Sequence, residues 1–196
     1  MRANRAKNAI CDTIYEKAKA YLNTRYNDIH VELSYDFTKK LLKHYPQADE
    51  DIVLPAILLH DVGWKMVPED EQVGAFGPKV KNHEAQRSHE VEGVKIAGQI
   101  LSELKYPEDK IHEILSIIDG HDTRLKALSL NDKIVKDADK LWRMTTTCVN
   151  IDCARFGIEL FSQLHYLEDR LKDWFFTSAA RKMASEALAR TRSELI

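Results

Sequence analysis

An all-α fold is what this chain predicts, and three observations predict it. Of its 196 residues only 7 are glycine and 5 proline, too few turn-formers for the many short strands of a sandwich or barrel. Apolar residues return at three- and four-residue intervals over one segment after another. Hydrophobic residues make up 44% and charged residues 31%, a mixture that folds alone and supplies one core, so one domain over residues 1–196 is expected.

Each element follows from its own pattern. Residues 4–24 place Ile10, Ile14, Ala18 and Tyr21 or Leu22 on one stripe, a first amphipathic helix ending near Asn23-Thr24. A second begins at Asp28, a good N-cap, aligns His30, Leu33, Phe37 and Leu41, and stops before Pro46. The third, 49–60, is apolar nearly all round, as a central core helix should be, and ends in His60-Asp61-Val62-Gly63. Residues 62–86 hold Gly63, Pro68, Gly74, Gly77 and Pro78 without a sustained period, the best lid candidate. A fourth helix starts at Ser88 with His89, Val94, Ala97 and Leu101 in register, and a fifth at Pro107 with Ile111, Ile114, Ile117 and His121 in register. A sixth spans Leu130 to Cys148, and two long C-terminal helices are expected over 153–172 and 174–194. No internal repeat or low-complexity segment is visible.

Composition also excludes function classes. Lys plus Arg total 29 against 31 Asp plus Glu, with no long run of one sign, which argues against a nucleic-acid partner or a polybasic membrane patch. The longest apolar run, Ile52 to Leu59, contains Pro55 and is far short of the roughly 20 residues that span a bilayer. The basic start, Met1 to Arg5, runs into Asp12, Glu16, Lys17 and Lys19 instead of an apolar stretch, so no signal peptide is expected. Cys11, Cys148 and Cys153 are odd in number and none lies in a CxxC, which fits reduced thiols in a cytoplasmic protein. A homodimer is compatible with the polar C-terminal helix, which otherwise reads as a solvated cover.

Histidine is the surplus: eight are present. Any one of them on an apolar stripe reads first as a hydrogen-bonded core residue. The set reads differently. His30, His60, Asp61, His89, His121 and Asp139 each fall on an inward face or at the end of a core helix. Burying four imidazoles and two carboxylates without partners costs several kcal/mol per ionised group, and divalent cations among them remove that cost. Nitrogen and carboxylate oxygen suit borderline or hard divalent metals, and no thiolate joins the group, so a Cys-rich structural zinc site is not indicated. Asp137 and Asp139 point about 200° apart on a helix, so only one of them can face a metal.

These motifs carry a resemblance. A histidine on one helix, the doublet in Leu58-Leu59-His60-Asp61-Val62-Gly63, and a distant aspartate in Lys136-Asp137-Ala138-Asp139-Lys140-Leu141 resemble the HD-domain superfamily of metal-dependent phosphohydrolases over residues 28–145. The resemblance implies that His30, His60, Asp61 and Asp139 hold one metal. His89 and His121 sit where two-metal branches of the superfamily place further histidines, which implies a second ion, Asp61 as bridge and a hydroxide nucleophile between the two. The cofactors implied are two divalent ions from among Mn, Fe, Mg, Ni, Co and Zn. Alignment favours Asp139 as the ligand and leaves Asp137 a supporting or helix-capping role. Asp61, His60 and Lys140 are the catalytic candidates, with Lys140 placed to meet a phosphate of a small phosphorylated substrate.

Departures narrow the substrate. Val62-Gly63-Trp64-Lys65 lacks the acidic pair of alarmone hydrolases and the glutamate of one-metal 5′-nucleotidases, and no GYP follows His89. Small phosphoesters, nucleotides and dinucleoside polyphosphates remain. Two alternatives use the same residues: a di-iron oxygenase and a non-catalytic nucleotide-binding sensor. Arg87, Arg124 and Lys81 are secondary phosphate-binding candidates that read first as surface charges, His83 as a solvated loop histidine, and His44, His112 and His165 as surface residues. Trp64 could roof the pocket or stack on a base, although Trp64, Trp142 and Trp174 read first as core fillers.

Overall fold

The structure, a computed structural model, describes residues 2–196, with side chains from residue 9 onward; the side chains of the basic start lie outside the described residues. Among the described residues every regular element is helical: α1 Arg2–Leu22, α2 Asn27–Leu42, α3 Glu50–Leu59, α4 Glu69–Gln72, α5 His83–Glu103, α6 Glu108–Ile118, α7 Leu130–Leu141, α8 Thr146–Phe156, α9 Leu160–Arg170 and α10 Ser178–Leu195. Among the described residues no helix is long and apolar enough to cross a membrane.

The apolar third helix is central, as its composition predicts. α3 packs against α1, α2, α6 and α7 and buries Ile52, Val53, Ala56, Ile57, Leu58 and Leu59. Asp49 caps it by accepting from the Asp51 N–H at 2.9 Å. Pro55 lies inside it and cannot donate to the carbonyl four residues earlier, that of Asp51. The Tyr106 hydroxyl donates to that carbonyl at 2.6 Å, so the broken ladder is repaired from outside the helix. Side-chain caps also set the starts of α5 by Asn82, α7 by Ser129, α8 by Thr145 and α10 by Thr177.

Five boundary expectations change. α2 begins at Asn27 with Tyr26 at its N-cap position and no side-chain cap, so Asp28 lies in its first turn and does not cap it. α5 begins at His83, not Ser88, because Asn82 supplies the cap. α6 ends at Ile118, so His121 lies beyond it in a turn, where Gly120 takes a φ of +99°. The sixth element is two helices: a 3-10 turn, Trp142–Met144, breaks it and α8 restarts under the Thr145 cap. Gly157, at φ +62°, then ends α8, and the C-terminal region continues as α9 and α10 with bounds unlike the two long helices expected.

The 62–86 segment is a packed wall and not an open flap. Its 3-10 turn, Val62–Met66, lies against α5, and Trp64, Val67, Ala75 and Phe76 form a second apolar cluster with Ala85. Gln72 pins it, donating to the carbonyls of Val67 at 2.7 Å and Trp64 at 3.2 Å. A Cβ on Gly63 would lie 1.9 Å from the His89 carbonyl oxygen and 2.3 Å from the Gly93 nitrogen, so only glycine permits this approach.

Candidate metal centre and its cleft

The local folds aim six side chains at one point. α2 presents His30 from its buried face, and α3 ends in His60 with Asp61 in the turn after it. The Gly63 approach presses that turn onto α5, which delivers His89. α7 delivers Asp139 beside α2, and the turn beyond α6 delivers His121. All six are buried.

Their donor atoms meet at short range. His30 and His60 bring their Nε2 atoms to 2.9 Å, with Asp139 Oδ1 at 3.3 and 3.6 Å from them. His89 and His121 bring theirs to 3.3 Å. Asp61 lies between these pairs: Oδ2 is 3.4 Å from His30 Nε2, and Oδ1 is 3.4 Å from His121, 3.7 Å from His60 and 3.9 Å from His89. Three overlapping groups result, His30/His60/Asp139, His60/Asp61/His121 and His89/His121/Asp122, each with donor atoms within 4.8 Å of one another.

The donor chemistry fits a divalent cation. His60 Nδ1 lies 2.8 Å from the Ile57 carbonyl and His121 Nδ1 lies 3.0 Å from the Ile118 carbonyl. Those carbonyls only accept, so both Nδ1 atoms carry a proton and both Nε2 atoms are turned inward, the orientation a metal ligand needs. The Asp61 carboxylate is fixed as well: the Trp64 indole N–H donates to Oδ1 at 3.1 Å, and Asn27 Nδ2 donates to the Asp61 carbonyl at 3.3 Å.

The electrostatics express the same crowding. Burial opposes a charge on Asp61, but His60, His121, His30 and Arg25 outweigh it and hold the carboxyl well below its usual range. Burial pushes His89 down to about 3, helped by His121, and lowers His30. His121 runs the other way: burial is outweighed by Asp61, Asp122 and Asp139, and it rises to about 9. Without a metal, positive charge therefore collects on His121.

Two expected roles are refined. Lys140 does border the site, and its ammonium lies 2.6 Å from both Asp122 Oδ1 and Asp139 Oδ2. Asp137 faces away, as the 200° argument requires. It accepts from the Phe176 N–H at 2.7 Å, the Thr177 N–H at 2.9 Å and the Thr177 hydroxyl at 2.6 Å, so it anchors the start of α10.

Sequence reasoning missed Asp122, although His121-Asp122 is a second His-Asp doublet. It also missed the cleft beside the centre. Arg25, Asn27, Trp142, Arg143 and Arg155 line that cleft with His30, Asp61, Asp122 and Asp139. No spacing rule marks these arginines; they converge because the α1–α2 turn and α8 meet there. The arginines singled out from sequence are used elsewhere. Arg87 pairs with Glu90 and Asp119, and Arg124 with Asp132. Trp64 is sealed between two neighbours, the His89 ring at 3.9 Å and the Arg25 guanidinium at 3.8 Å, so neither of its faces is open to a base. Lys81, His83, His44, His112 and His165 are exposed.

A family model described as HD domain matches residues 27–144. A solved structure, that of a predicted HD superfamily hydrolase from an uncultured Thermotogales bacterium, superposes with a TM-score of 0.61 at 22% identity, covering 96% of this chain and 88% of that one. At that identity the likeness speaks to the fold. No curated protein matches the chain.

Proposed function

The chain belongs to the HD domain family, and from that premise we propose that it is a metal-dependent phosphohydrolase acting on a small phosphate ester or nucleotide. The observation that carries this reading is the position of Asp61, whose two oxygens approach histidines of two separate pairs. A carboxylate so shared is the bridge a binuclear centre requires.

In this reading His30, His60 and Asp139 would hold one ion and His89 and His121 a second, with Asp61 within reach of both groups and Asp122 beside the latter. Bound there, two divalent cations would supply Lewis-acid polarisation of a phosphoryl group and a hydroxide at neutral pH. The chain's own residues do the rest. His60 and His121 keep their Nε2 atoms turned inward through the Ile57 and Ile118 carbonyls. The Trp64 indole N–H orients Asp61. Lys140 acts as a positioning residue: it balances Asp139 and Asp122 and fixes the first of them toward His30. The cleft arginines give an anionic substrate a favourable entry.

Elemental analysis of protein purified without added metal, with hydrolysis of an aryl phosphate and a nucleotide panel with and without Mn, tests the reading. About two divalent ions per chain, and turnover lost in His89→Ala, are expected. Iron as the only supporting metal, with oxygen consumed and no ester cleaved, would overturn it in favour of oxygenase chemistry. A chain that takes up less than about one ion when metal is supplied would remove the binuclear site.

A further inference from the structure

The cleft contains polar atoms that the protein itself leaves without partners. Arg25 is half-buried as a residue, yet its Nε and Nη1 are sealed from solvent and bond to nothing. The indole Nε1 of Trp142, on the same cleft, is likewise buried and unpartnered. Buried donors are almost always satisfied, and three orphans in one cleft are a strong sign of a missing acceptor.

The surroundings fix how Arg25 can be used. Its guanidinium lies 3.8 Å from the centre of the Trp64 ring and 3.7 Å from that of the Phe76 ring, two rings packed edge to face, which hold it in the angle between them. Its backbone is held in the left-handed region at φ +55°, followed by Tyr26 at +61°, a conformation unfavourable for non-glycine residues. Arg155 secures that turn by donating to the Arg25 carbonyl at 2.8 Å. Arg155 and Arg143 both lean on Asp152, whereas Asp61 and Asp122 act on Arg25 only from beyond ion-pair distance among the described residues.

We propose that Arg25 and the Trp142 indole N–H form an oxyanion-binding subsite that grips a phosphoryl oxygen of the ligand beside the metal-ligand cluster. All three orphans are donors, so the occupant must present acceptors, which a phosphoryl group does and a sugar hydroxyl or amine edge does less well. An arginine wedged in the angle of two rings has less freedom to lose on gripping such a group. This assignment rests on the phosphohydrolase reading for the identity of the anion, while the orphan donors stand independently of it.

Calorimetric titration of inorganic phosphate into the Mn-loaded chain, with acetate as control and metal content measured in every variant, tests the subsite. Arg25→Gln should weaken phosphate binding by about tenfold or more with metal content unchanged, because a charge-assisted bond is lost. Arg25→Lys keeps the charge without the fork and should recover only part of the affinity. Trp142→Phe keeps the ring, loses the donor and should weaken phosphate about threefold to tenfold, which covers the case in which Arg25→Gln fails to fold. Phosphate affinity unchanged in Arg25→Lys and Trp142→Phe, or no phosphate binding by the parent chain, overturns the subsite. Arg25-dependent phosphate binding without ester hydrolysis would retain it and remove the hydrolase reading. Hydrolysis with phosphate binding indifferent to Arg25 would do the reverse.

Discussion

Glu90 in α5 and Asp122 in the turn beyond α6 are joined through the backbone: the Glu90 carboxylate accepts the Asp122 N–H at 2.9 Å and the neighbouring Thr123 N–H at the same distance. Its other oxygen accepts from the Thr123 hydroxyl at 2.7 Å and from Arg87 at 2.7 Å. The helix that carries His89 thereby holds the turn that carries His121. Lys136 grips the same turn from α7, donating to the carbonyls of Gly120, His121 and Arg124. A segment outside any helix is thus fixed by one buried anion and one buried cation.

Glu90→Gln keeps the shape but turns an amide N–H toward Arg87. We expect a loss of about 1–3 kcal/mol at neutral pH and a metal affinity lower by about 10–100-fold, read by denaturant melts and metal titration. The sign of the pH dependence follows from the carboxyl itself. Burial opposes its charge, but His121, Thr123 and Arg87 hold it below its ordinary 4.5. Its contribution is therefore present above pH 4.5 and fades as pH falls through the lowered value. The gap between parent and variant should narrow on acidification; a gap that widens would contradict the assignment.

Asp137 and Asp139 are two residues apart and should behave as opposites. Asp137→Ala leaves the N–H groups of Phe176 and Thr177 unpaired, so we expect about 1–3 kcal/mol of destabilisation with full metal content. Asp139→Ala removes a candidate ligand, so metal content should fall. Metal loss in Asp137→Ala with none in Asp139→Ala would exchange the two roles.

How much of this was legible in the sequence depends on which residues carried periodicity. The apolar third helix, the His60-Asp61 end and the inward histidines could be read because a stripe or a doublet marked them. The breaks could not. α6 ends three residues before His121, and a capping threonine, Thr145, divides what reads as one periodic run. Arg25 was invisible because a left-handed arginine has no local signature; its direction is set by Arg155, 130 residues later, and by two rings. The 62–86 segment reads as a loop because Trp64 and Phe76 bury themselves without regular spacing.

Two glycines separate close approach from backbone conformation. At Gly63 an added Cβ would strike backbone atoms at 1.9 and 2.3 Å, which no side-chain rearrangement can relieve. Gly63→Ala should cost about 3 kcal/mol or more and displace the His60-Asp61 doublet, with metal lost in step. Gly157 sits at φ +62° with nothing within 4 Å of such a Cβ, so Gly157→Ala should cost only about 1 kcal/mol and spare the metal. Thermal melts with elemental analysis compare them; equal losses would contradict the close contact between the doublet turn and α5.

Chelation should lower stability in a pH-dependent way whose sign is set by His121. In the metal-free chain its folded value rises to about 9 from 6.5, so the stability it contributes is complete below 6.5 and is lost as pH climbs toward 9. A histidine that ligates a metal is neutral, so the loaded chain has no such loss from this group. His89 and His30, whose values are lowered, stay neutral across that window and weaken both forms only below it, as the unfolded imidazoles take up protons. The stability difference between loaded and chelator-treated protein should therefore grow from pH 6.5 to about 9, by about 3 kcal/mol at full effect. Melts with and without EDTA across that window measure it. A difference that stays flat or shrinks would mean that His121 carries no extra proton in the stripped chain and that Asp61 is balanced by some other cation.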